Sequence, residues 1–211
     1  MHKIMRDTAI RLMQHGHVPS VSDIAEAAEV SRATAYRHFS SQASIIQAAV
    51  NEALGPILDW SSDSTDAEER ISDLIAFAYP RMNRHEATHR AALRLALDQW
   101  ERSHAGTVDG ETRIVRGNRK MLLTAAARPL LNGVGAKTFD RLIQSLSLLF
   151  GVEALIVLKD IWGLDGREAE KVADWAAHAL VRAAALEPRR RKTRRANQRA
   201  PRPHKNGGST K

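Results

Sequence analysis

The sequence predicts an all-α protein: a three-helix helix-turn-helix domain at the N-terminus, a larger helical domain, and a disordered basic tail, with about nine helices in total. Three observations support this. Apolar residues recur three and four positions apart with no convincing period-two run. Ser or Asp precedes an acidic residue by three positions at several expected helix starts. Residues 187–211 hold ten of the 32 Lys and Arg but one of the 24 Asp and Glu, and almost nothing to bury. The expected boundaries are 1–50, 51–186 and 187–211.

The first helix carries Ile4/Met5, Thr8/Ala9 and Leu12/Met13 on one face and stops at Gly16. Ser20 with Asp23 forms a capping box that opens a short second helix to about Ala28, and Ser31 caps a third to about Phe39. A fourth begins near Ser41 and presents Ile45/Ile46, Ala49/Val50, Ala53/Leu54 and Ile57/Leu58. Residues 61–65 read as a linker. Asp66 with Glu69 starts a fifth helix, which Pro80 is expected to kink or end.

Helices are then expected over 87–103 and 110–128, with a break at Pro129, Gly133 and Gly135. Two strong helices close the pattern, 138–161 and 166–186, the second opened by Asp165 and Glu168. They read as an antiparallel hairpin. Ala169, Val172/Ala173, Ala176, Ala179/Leu180 and Ala183 allow close helix approach, so the pair can supply half of a four-helix dimer interface. The apolar stretch Leu142–Leu158 is shorter than the roughly 20 residues of a spanning helix and includes Glu153, so no membrane partner is expected.

There is no cysteine, which excludes disulfides, Cys-based zinc sites and thiol chemistry and is compatible with a cytoplasmic location. The N-terminus has no secretory pattern. The net charge of +8 is local. Residues 1–50 carry five Lys and Arg against four Asp and Glu. Any affinity for a polyanion such as nucleic acid in this part must therefore come from placed side chains, with the tail residues Arg189–Lys192, Arg194, Arg195, Arg199, Arg202 and Lys205 offering a salt-sensitive supplement.

Between Ser20 and Phe39, two short helices joined by Glu29-Val30-Ser31 keep Ile24, Ala25, Ala28, Val30 and Ala35 as small or apolar packing positions. That is what a helix-turn-helix requires. The string VSDIAEAAEVSRATAYRHFSSQASIIQAAV, residues 21–50, resembles the N-terminal domain of the tetracycline-repressor (TetR) family of bacterial regulators. The matching features are Asp23-Ile24-Ala25, Val30-Ser31-Arg32, Tyr36-Arg37-His38-Phe39 and the apolar helix that follows.

The resemblance implies that Ser20, Tyr36 and His38 meet backbone phosphates, that Arg32, Ala33, Thr34 and Arg37 face bases or phosphates beside the cap Ser31, and that Phe39 is core. It implies a homodimer on a roughly palindromic operator in double-stranded DNA, repression, and release by a small-molecule effector. It implies no enzymatic activity and no cofactor. Two positions depart from the family pattern. Glu29 stands where glycine is usual, and Gln42 replaces a common lysine, turning a charged phosphate contact into a neutral one. Phe77, Tyr79, Trp100, His104 and Phe150 are candidates for an effector pocket.

A second reading is a zinc-dependent hydrolase. His85-Glu86-Ala87-Thr88-His89 matches H-E-x-x-H, which on a continuous helix sets two imidazoles on one face and leaves the glutamate to activate water. Glu111 could supply a third ligand. Pro80 and an expected break near His85 weaken this reading, and no metal is expected.

Overall fold

The computed structural model describes residues 1–106, 113–114 and 117–187, and within them regular structure is helical throughout. The N-terminal helices are α1 (His2–Gln14), α2 (Val21–Ala27), α3 (Arg32–His38) and α4 (Gln42–Leu58). Then follow α5 (Ala67–Arg84), α6 (Glu86–His104), α7 (Asn118–Ala127), a 3₁₀ turn at Arg128–Leu130 and α8 (Leu131–Val134). The chain ends in α9 (Ala136–Leu146), α10 (Val152–Leu155) running into a π turn at Ile156–Ile161, and α11 (Gly166–Leu186). The expected basic tail lies outside the described residues, apart from Glu187, as does most of 110–117, so the expected 110–128 helix is seen from Asn118 onward.

Two apolar clusters hold the molecule together. One joins Met5, Ala9 and Met13 of α1 to Ile24, Ala25 and Ala35 of α2 and α3, to Ile45, Ile46 and Ala49 of α4, and to Ala91, Ala92 and Leu95 of α6. The other is built mainly from α5, α7, α9 and α11 with Leu155 of α10; Ile71, Leu74, Tyr79, Leu123, Leu146 and Leu155 are fully buried. The first four helices therefore do not close their own core; α6 completes it. Residues 61–65, read from sequence as a linker, are tied down by Arg70. Its guanidinium donates to the carbonyls of Ser62, Ser64, Ala125 and Ala126 and lies 5.5 Å from the Trp60 ring centroid.

The structure alters three details of these expectations. Helix α5 continues through Pro80 to Arg84. Arg81 lies against the Phe77 ring and donates a 2.6 Å hydrogen bond to the Phe77 carbonyl, next to the backbone bond that proline cannot make. The expected 138–161 helix is broken between Leu146 and Val152. There Gly151 has φ +133, Ser147 Oγ donates to Gln144 O at 2.6 Å, and the buried Tyr79 hydroxyl donates to Leu149 O. Finally, α11 lies along α5 as well as α9. Its buried positions are Ala169, Ala173, Ala177, Val181 and Ala184, leaving Val172, Ala179 and Ala183 exposed.

The α2–α3 turn shows the cost expected at Glu29. Val30 N–H bonds to Ala25 O at 2.9 Å and Glu29 N–H to Glu26 O at 3.1 Å, a Schellman closure that places Glu29 at φ +54. It is the one non-glycine with positive φ among the described residues. A side chain in this region costs roughly 1–2 kcal/mol, partly offset by the entropy that glycine loses on folding. Glu29→Gly is therefore expected to raise unfolding free energy by up to about 1 kcal/mol in urea titration. A destabilised variant would contradict the strain.

Candidate functional site

Helix α3 is short, and its position depends on local chemistry at both ends. Ser31 Oγ accepts from Thr34 N–H at 3.1 Å and shares a 2.9 Å hydrogen bond with Thr34 Oγ1, while Arg37 Nη2 donates to that same Oγ1 at 3.3 Å. The cap leaves other first-turn N–H groups for an anion. Ala35 and Phe39 are the residues that α3 and its C-cap bury, at 0% and 3% exposure. Arg32, Ala33, Tyr36, Arg37 and His38 are exposed, Thr34 is half-buried, and Tyr36 at 51% exposure is no core aromatic.

The entry to α2 is built the same way. Ser20 Oγ accepts from Asp23 N–H at 3.2 Å, and Ser20 N–H donates to Asp23 Oδ2 at 2.8 Å. The hydrogen bond from the Ser20 backbone holds the Asp23 carboxyl below its ordinary range. With its oxygen engaged as acceptor, the Ser20 hydroxyl keeps its own proton to donate outward. Gln42 does something the sequence did not reveal. Its amide donates to the carbonyls of Val18 and Pro19, at 3.2 and 3.1 Å, pinning the α1–α2 loop to the start of α4.

The five pocket candidates do not converge. Tyr79 is core, Phe77 lies under Arg81, and the exposed Trp100 stacks on His104 with ring centroids 4.1 Å apart. Phe150 does line a cavity of about 110 Å³, together with Val50, Leu54, Met82, His89 and Leu122. This cavity lies where the two apolar clusters meet, because Val50 belongs to one, Met82, Leu122 and Phe150 to the other, and Leu54 packs against both. Sequence periodicity could not single out its walls, since they are ordinary core positions of five separate segments.

The H-E-x-x-H segment does not form the continuous helical face that zinc hydrolysis requires. His85 caps the end of α5, and α6 starts at Glu86. Glu86 is bound by Lys159 and, at 2.8 Å, by Arg90, which also holds Asp160. Burial pushes the Glu86 carboxyl up, but these two cations more than offset it and leave it below the usual carboxylate range. Among the described residues no three His, Asp or Glu are grouped to hold a metal, and Glu111 lies outside them.

Burial, followed by the neighbouring His85, pushes the His89 imidazole down to about 4, and its Nε2 has no hydrogen-bond partner. A histidine kept neutral in the fold but free to protonate when unfolded contributes stability at neutral pH that is lost as pH falls from about 6.5 toward 4. Between pH 7 and pH 5 this loss is about 2 kcal/mol. Urea titrations at both pH values should show a drop that shrinks in His89→Leu; an equal drop in both proteins would contradict the assignment.

Residues 6–49 match the family model for bacterial regulatory proteins, tetR family. No curated protein matches the chain. No helix among the described residues is long and apolar enough to cross a membrane. The matched segment runs from Arg6 in α1 to Ala49 in α4 and includes both capped helices and the strained turn between them. This match to the N-terminal segment supports a DNA-binding transcriptional regulator of the tetR family.

Proposed function

We propose that the protein is a homodimeric repressor that leaves its operator when a small molecule occupies the cavity between the two apolar clusters. The observation that carries the DNA-binding half of this reading is the exposure of Arg32, Ala33, Tyr36, Arg37 and His38 on a helix whose core contacts are made by Ala35 and Phe39. In a major groove, the first turn of α3 and Arg37 would meet base edges and phosphates. Ser20, Ser31, Thr34, Tyr36 and His38 would fix the register on the backbone. Residues 1–50 form the reading head and 51–186 the regulatory body. The body relies on α6 to reach the head core.

Dimerisation is supported by where apolar surface is left exposed. Of fourteen exposed large apolar side chains among the described residues, seven fall between Leu148 and Leu186. They include Ile161, Trp162 and Trp175, each more than 70% exposed. A concentration of this kind marks a partner surface, and a two-fold pairing of the α10 and α11 region would place two heads on a roughly palindromic site. Effector release requires that the ligand bind one arrangement of the heads better than the other.

Arg37→Ala should weaken binding to a duplex that the wild type recognises by about 1–3 kcal/mol, with circular dichroism and oligomeric state unchanged. Unchanged affinity at moderate salt would count against α3 as the reading helix. Trp175→Lys should shift the protein toward monomer in analytical ultracentrifugation while it remains helical, and an undiminished dimer would place the interface elsewhere.

A further inference from the structure

The cavity differs from the rest of the body in its polar groups. Its wall is apolar over Val50, Leu54, Met82, Leu122 and Phe150. Among the described residues that line it, Arg119 carries the positive charge, and that charge is already answered. Arg119 Nη2 bonds to Glu153 Oε2 at 2.5 Å, and Nη1 donates to Ser147 O at 3.1 Å. The guanidinium is also packed onto Gly151, where an added Cβ would stand 2.8 Å from Arg119 Cζ and Nη2. An anionic ligand would have to take Arg119 from Glu153. A cationic ligand would find Glu153 equally committed.

Of the polar residues in the wall, His89 is the one with a fully buried ring nitrogen left without a hydrogen-bond partner among the described residues. Its Nε2 is buried without a partner, and a neutral imidazole has one donor and one acceptor nitrogen. A ligand hydroxyl both donates and accepts, so it satisfies either tautomer. A buried polar group without a partner costs about 1–3 kcal/mol, so a ligand supplying that partner gains over an apolar one of the same shape. Size sets the other limit. An enclosed apolar cavity of roughly 150 Å³ takes benzene; this one is about 110 Å³ and open on one side, which limits its ligand to a single ring.

Resting on the reading of this cavity as the effector site, we propose that its ligand is a small, uncharged, largely apolar molecule of one ring's size carrying a hydroxyl that pairs with His89. Two walls of the cavity, Val50 and Ala92, are also core residues of the head cluster. Filling it therefore loads α4 and α6, both of which pack against α1.

The test is calorimetric titration of the full-length protein, free of DNA, with four probes of one size: phenol, toluene, benzoate and benzylamine. Phenol should bind about tenfold more tightly than toluene, benzoate or benzylamine. In His89→Leu, the phenol preference over toluene should fall to within about threefold while toluene still binds. The wild-type series is decisive even if that variant fails to fold. Toluene equal to phenol, tighter binding of either ion, no binding of any probe, or a preference unchanged in a folded His89→Leu would each overturn the proposal. Operator release by benzoate would sink the ligand class and leave the repressor reading intact. Phenol binding by a protein that selects no DNA would do the reverse.

Discussion

Helix α6 packs Ala91, Ala92 and Leu95 into the core that α1 to α4 leave open, and the rest of the architecture depends on that contact. Small side chains at Thr88, Ala91 and Ala92 let the helix approach α1 and α4 closely, so the head is seated on the body by core packing instead of by a flexible tether. The same helix carries His89 to the cavity wall. Val50 on α4 and Ala92 on α6 are at once head core and cavity lining. Close-packed interiors transmit small displacements because they cannot absorb them. The proposed effector coupling needs no longer route than this.

The DNA-reading part is economical in charge. Two arginines, a histidine, two capped helix starts and a half-exposed tyrosine carry the proposed interface on a head that is nearly neutral overall. Such a surface has little bulk attraction for nucleic acid, and selectivity must come from the placement of α3. Placement in turn rests on neutral hydrogen bonds. Ser20 and Ser31 cap, and Gln42 spends its amide on Val18 and Pro19, where a lysine would have been available for a phosphate.

The head was legible in the sequence because its determinants are local. Capping serines at Ser20, Ser31 and Ser41 mark three helix starts to the residue, and the stripe from Ile45 to Ile57 identifies the roof of the head. The strain at Glu29 followed from glycine being usual at that turn. The body was less legible, because its departures are set by distant partners. The break after Leu146 depends on the Tyr79 hydroxyl and Arg119, from α5 and α7, and no window around residue 148 contains either. Continuity through Pro80 goes with the burial of Ala78, Tyr79 and Met82 on either side of it, which is set by tertiary packing. Of the pocket candidates, Phe150 lines the cavity and Phe77, Tyr79, Trp100 and His104 do not, for a related reason. Residue type marks an aromatic in the sequence, whereas the cavity walls are mostly aliphatic core positions brought together by tertiary packing.

The central claim is that a nearly neutral head reads DNA sequence through α3, and it is tested most directly by selecting bound fragments from genomic DNA with the full-length protein at moderate salt. The account predicts that recovered fragments share a roughly palindromic motif with half-sites about one helical turn, or a multiple of it, apart. Fragments recovered without a common motif would contradict it and leave only charge-driven binding by the basic tail.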